Sequence, residues 1–161
     1  MLERARPVHY PDSDGTPMGE NDVIVWLMAS TLGTLRQWFR DAADVYVSSN
    51  SFLYFVEGDP RRRVAPDLYI VRGVPNRMRR NYKVWEEGVA PQVVFEYTTR
   101  SSRKQDLDEK FHLYRRLGVR EYYVFDPGGE YLVPPFRAFR LEDGEYAELP
   151  VVGWLHSPGL E

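Results

Sequence analysis

A mixed β-sheet flanked by helices, an α/β architecture, is what this sequence predicts, on three observations. Helical spacing of apolar residues recurs twice, over residues 20–40 and 103–117. Short runs rich in β-branched and aromatic residues lie between and after these segments. The order is helix, several strands, helix, strand and further strands, which suits one sheet with helices packed against it.

The elements follow in chain order. From Glu20 to Arg40, Ile24, Leu27, Leu35 and Trp38 fall near one helical stripe, with Gly33 its weak point. Residues 44–49 and 52–57 predict a strand pair joined near Asn50, because Val45-Tyr46-Val47 and Phe52-Leu53-Tyr54-Phe55-Val56 have strand composition. Gly58-Asp59-Pro60 turns the chain, and a third strand runs from Asp67 to Val71. Residues 75–91 read as irregular or short helix. Gln92 to Tyr97 is apolar except for Glu96, the pattern of a strand buried on both faces. A helix over Arg103–Leu117 stops at Gly118, where the left-handed C′ position favours glycine. Glu121–Phe125 is a strand turned by Asp126-Pro127-Gly128-Gly129, and Tyr131–Leu149 holds two or three more, broken at Pro134-Pro135.

A chain of 161 residues, 43% hydrophobic and 14% aromatic, supplies one core and predicts a single domain over residues 1–161. Zero cysteines exclude disulfides, thiolate metal sites and cysteine nucleophiles, and point to a reducing compartment, the cytoplasm. No apolar run approaches the roughly 20 residues of a membrane span. The net charge of -3 argues against coating nucleic acid by bulk charge. Locally the sign reverses. Between residues 61 and 83 eight Arg and Lys surround one acid, Asp67, and predict a positive surface there.

Three charged residues occupy positions where this pattern buries apolar ones. Alternation along the strand points Glu96 where Val94 points. Asp67 follows Pro66 and precedes Leu68-Tyr69-Ile70-Val71. Lys110 shares a helical face with Leu107, Phe111 and Tyr114, while Asp106, Glu109 and Arg116 can remain wet. A short connection returns that helix beside the Glu96 strand, so Lys110 can reach both carboxylates. Oxygen ligands from Asp67 and Glu96 suit Mg²⁺ or Mn²⁺, with Lys110 stabilising developing negative charge. Tyr114 is assigned to the core, and Glu20 to the dipole of the first helix. His9, His112 and His156 form no ligand cluster, and no P-loop, G-x-S-x-G or H-E-x-x-H motif occurs, so no nucleotide cofactor is expected.

Taken together, Pro66-Asp67, Val94-Phe95-Glu96, Lys110, Tyr114, Gly118-Val119-Arg120-Glu121-Tyr122 and Asp126-Pro127 resemble the Uma-type restriction endonucleases, a branch of the PD-(D/E)xK nuclease superfamily. Asp14-Gly15 and Met18-Gly19-Glu20-Asn21 are similar to the amino-terminal signature of that family. The resemblance implies a restriction-endonuclease-like core, a divalent metal and nuclease activity. It makes Asp67 and Glu96 the motif acids and Glu20 the acid of the first helix. Thr98 stands where the superfamily places its lysine, so that role passes to Lys110, as in relatives with a migrated lysine.

The leading expectation is therefore a metal-dependent DNA endonuclease. Asp67, Glu96, Lys110 and Glu20 are its candidate catalytic residues, Asp67 and Glu96 its metal ligands, and Arg72, Arg77, Arg100 and Lys104 its phosphate contacts. Two-fold symmetry of duplex DNA favours a homodimer. The competing expectation, from Thr98 and the negative overall charge, is an inactive nucleic-acid-binding or assembly module on the same fold. A third is a purely structural ion-pair cluster.

Overall fold

Two parallel strands, β6 (Val93–Tyr97) and β7 (Glu121–Phe125), occupy the centre of a six-stranded sheet and dictate much of what surrounds them. Parallel neighbours need a crossover, and the second long helix supplies it. In this computed structural model, which describes residues 7–11, 13 and 21–161, the crossover begins with a π-helical turn, Gln105–Glu109, and continues as α3, Lys110–Leu117. Gly118 ends it at φ 77°, where a side chain would be strained. The remaining neighbours pair antiparallel: β1 (Val45–Ser48), β4 (Leu68–Arg72), β6, β7, β8 (Phe136–Glu142) and β9 (Glu145–Leu149), in that spatial order.

A second, three-stranded sheet is built from β2 (Leu53–Tyr54), β3 (Arg63–Val64) and β5 (Tyr82–Lys83), followed by the short helix α2 (Val84–Glu87). Here the structure corrects the expected hairpin at Asn50. Strand β1 pairs with β4, residue 45 opposite residue 72, and the Asn50 turn, at φ 49°, carries the chain out of the main sheet into the small one. Both segments do contain strands, though the second is only Leu53–Tyr54, and partners are chosen by long-range burial of both β1 faces. All four β1 residues are buried.

Each face of the main sheet has its own apolar layer. Helix α1 (Asp22–Trp38), capped by the Asn21 side chain on the Ile24 amide at 3.0 Å, lays Leu35 with Phe39 on Val45, Val47, Leu68, Ile70, Val93 and Tyr123. Trp38, expected on the buried stripe, is 69% exposed, and Phe39 takes the core position instead. On the opposite face α3 and the small sheet cover Tyr46, Tyr69, Val71, Val94, Tyr122 and Val124 with Tyr114, Phe111, Leu53 and Tyr82. Glu96 lies on that second face, as alternation requires, and so does Asp67. No helix among the described residues is long and apolar enough to cross a membrane.

Candidate active site

The β4–β6 register brings the two acids together. Leu68 pairs with Phe95, so one residue further out Asp67 stands opposite Glu96. Asp67 accepts the Tyr97 amide at 2.7 Å, and its own amide points to Glu96 Oε2 at 3.4 Å. The crossover helix then delivers the counter-charge. Lys110 Nζ lies 2.9 Å from Glu96 Oε2 and 2.9 Å from Asp106 Oδ1, while the Tyr114 hydroxyl donates to Glu96 Oε1 at 2.6 Å.

Asp106 is the residue that sequence reasoning missed. Expected to remain wet, it is buried at 1% exposure and accepts the Thr98 hydroxyl at 2.8 Å. The π-helical turn carries it, with the Lys110 amide donating to the Gln105 carbonyl, and the Tyr122 hydroxyl holds the turn by its Asp106 carbonyl at 2.8 Å. Such single π-turns inside α-helices often mark functional positions. Asp106, Lys110 and Tyr114 recur at i, i+4 and i+8, a spacing that was visible. Tyr114 is buried, as expected of a core residue, but its hydroxyl serves the site by fixing Glu96. Glu109 and Arg116 are exposed.

Three carboxylates against one ammonium leave a local charge of -2 if all are ionised. The electrostatics register this. Burial, with Asp67 and Asp106 adding to it and Lys110 opposing, pushes the Glu96 carboxyl up to about 8. Burial likewise raises Asp67, against the pull of Lys110 and the Tyr97 amide. For Lys110, burial works against the charge, but Glu96 and Asp106 outweigh it and hold the ammonium above the ordinary lysine range. Asp106 Oδ1 is buried without an aligned hydrogen bond, although the ammonium is at ion-pair distance. Asp67 and Glu96 are the oxygen donors here that could hold a cation. Among the described residues no three His, Asp or Glu side chains gather as an all-protein metal shell, so an ion here would rest on few carboxylates and on water, the habit of Mg²⁺.

The predicted phosphate contacts divide between the two ends of the sheet. Arg100 and Lys104 are exposed in the connection that follows β6, at the carboxylate end, and form no ion pair among the described residues. Arg72 is at the far end of β4, about 17 Å of strand from Asp67. Its guanidinium holds the Gly159 carbonyl at 3.1 Å. Arg77 also lies at that far end, where the neighbouring Asn76 amide bonds the Ala43 carbonyl, and it pairs with Glu87 at 3.1 Å. Much of the basic stretch is engaged in the same way. Arg79, its side chain 3% exposed, grips Glu87 with two bonds, Arg61 pairs with Asp59, and Lys83 with Glu86. The expected positive surface around Asp67 is thereby partly neutralised, because Asp59, Glu86 and Glu87, acids just outside the basic stretch, complete these pairs. Glu20 lies outside the described residues, as do Asp14-Gly15 and Met18-Gly19.

Comparison with known proteins gives two findings. A family model described as "Putative restriction endonuclease", Uma2, matches residues 14–160. A crystal structure from Anabaena variabilis, described as a "putative nuclease belonging to DUF820", superposes with a TM-score of 0.56 at 12% identity, covering 90% of this chain and 76% of that one. At that identity the likeness concerns the fold. No curated protein matches.

Proposed function

Because the chain belongs to the Uma2 family of restriction-endonuclease-like proteins, we propose that it is a metal-dependent endonuclease that hydrolyses DNA phosphodiester bonds. The observation that carries this reading is the pairing of Glu96 and Asp106 with Lys110, with Asp67 opposite Glu96 on the neighbouring strand, at one end of the sheet.

Asp67 and Glu96 would hold Mg²⁺ or Mn²⁺, which supplies charge for a phosphoryl oxygen and acidity for an attacking water. Tyr114 and the Asp67 amide orient the Glu96 carboxylate. Lys110 keeps its proton between Glu96 and Asp106 and presents a fixed positive charge to the phosphorane-like transition state. Asp106, itself fixed by Thr98, positions that ammonium. Arg100 and Lys104 would contact flanking phosphates, where position matters more than base identity. Glu20 enters this proposal on the family resemblance alone. A homodimer with two such centres would match the two strands of a duplex.

The test is plasmid nicking with Mg²⁺ or Mn²⁺. Activity that depends on the ion and disappears in Asp67→Asn supports the reading, whereas nicking that persists undiminished in Asp67→Asn refutes the assignment. The second reading, an inactive nucleic-acid-binding module, has Thr98 in its favour: the motif-lysine position carries a hydroxyl engaged with Asp106. It predicts salt-dependent DNA binding without cleavage at any metal concentration.

A further inference from the structure

Three arginines gather at the other end of the sheet. Arg72, Arg120 and Arg140 line a cavity of about 410 Å³ between the C-terminal segment, the start of β7 and the β8–β9 turn. Guanidinium groups are best satisfied by planar bidentate oxyanions, carboxylate or phosphate. Here Arg72 and Arg140 already meet oxygen partners, and two acids, Glu121 and Asp143, line the same cavity. Arg72 donates to the main-chain oxygens of Gly159, at 3.1 Å, and Glu161. Arg140 donates to the His156 carbonyl at 2.8 Å and reaches Glu121 Oε1 only at 3.5 Å, and its Nε is buried with no partner. Arg120 is exposed and forms no ion pair among the described residues. The one buried acid, Glu121, has its Oε2 taken by the Ser157 hydroxyl and the Gly159 amide.

Three arginines thus outnumber the two acids, Glu121 and Asp143, that line a cavity of the size that holds small molecules, and Arg140 Nε has no partner there. Gly118 and Gly144 in its lining extend no side chain into the space. We propose that this cavity binds a phosphate-bearing anion of mononucleotide size, with the phosphate on Arg72, Arg120 and Arg140. It is separate from the carboxylate centre, since Glu121 pairs with Val93, roughly 10 Å along the strand from Glu96. The proposal does not depend on the nuclease reading.

Calorimetry of the full chain in EDTA, with dAMP, inorganic phosphate and adenosine as probes, tests it. One equivalent of dAMP should bind, phosphate more weakly and adenosine not at all. Arg120→Ala should weaken dAMP binding about tenfold with no change in melting temperature, since Arg120 holds nothing in the fold. Arg140→Lys should weaken it too, because the charge remains but the fork is lost. Amide shifts of Gly118 and Gly144 should report the site. Absence of dAMP binding, equal binding of adenosine, equal affinity in Arg120→Ala, or shifts centred on Thr98 and Lys110 would each overturn the proposal.

Discussion

Two buried glutamates on adjacent parallel strands have opposite surroundings. Glu121, at the start of β7, is 3% exposed and fully matched: one arginine, one hydroxyl and one amide meet one carboxylate. Glu96, near the end of β6, is 1% exposed and over-matched by like charge, with Asp67 across the strand pair and Asp106 beside the same lysine. Both are costly to bury. Only the second stands among more acids than cations, and burial together with those acids raises its carboxyl to about 8. Burial of an acid therefore does not mark a site, whereas burial of more acids than partners does.

The sharpest way to break this contrast is to remove the ammonium. Lys110→Ala should lower the metal-dependent cleavage rate about 10²–10³-fold, the usual loss for one preorganised charge facing the transition state, as read by single-turnover kinetics. A rate within twofold of wild type would equate the two ends of the sheet. Next in size is the effect on stability. Glu121→Ala should cost about 1.5–3 kcal/mol in denaturant unfolding, since Arg140, Ser157 and Gly159 lose a charged partner. Glu96→Gln in the metal-free protein should be neutral or stabilising, because it relieves the repulsion. Gly159→Ala adds to the first side of this comparison: a Cβ there overlaps Val93 Cγ2, so the C-terminal segment must lift off Glu121.

How much of this was legible before any coordinates depends on the range of the interaction. Glu96, Lys110 and Tyr114 were readable because period-two and period-3.6 patterns are local, and each put a charged or hydroxyl group on an apolar face. Asp106 was not recognised, since an acid in the first turn of a helix is ordinarily solvated and nothing local announces a π-turn. Its i, i+4 relation to Lys110 was the available clue. The β1–β4 pairing is long-range, whereas Glu87, which neutralises Arg77 and Arg79, lies just past the basic stretch, so composition of residues 61–83 alone suggested a basic surface that folding partly cancels. Arg72 lies away from the carboxylates for a geometric reason, because the length of β4 separates the two ends.

A smaller effect concerns pH. An acid whose folded value is raised stabilises the fold below its unfolded value and loses that contribution as pH climbs through the folded one. For Glu96 the window runs from 4.5 to about 8, and Asp67 shifts in the same direction. The melting temperature of the metal-free protein should fall by a few degrees across that window, and Glu96→Gln should flatten the slope. An unchanged slope in that variant would remove Glu96 from the account. The smallest expected effect separates the two ends by charge alone. Arg100→Ala and Lys104→Ala should each reduce the salt slope of DNA binding by about 1, whereas Arg72→Ala should leave it alone.

The claim beneath all of these is that the carboxylate excess at Asp67, Glu96 and Asp106 accommodates a divalent cation. Calorimetric titration of Mn²⁺ into the wild-type chain and into Asp67→Asn measures it without reference to catalysis. The account predicts one equivalent bound by the wild type at neutral pH and binding lost or greatly weakened in the variant. Equal Mn²⁺ affinity in the two proteins, or none in the wild type, would contradict it.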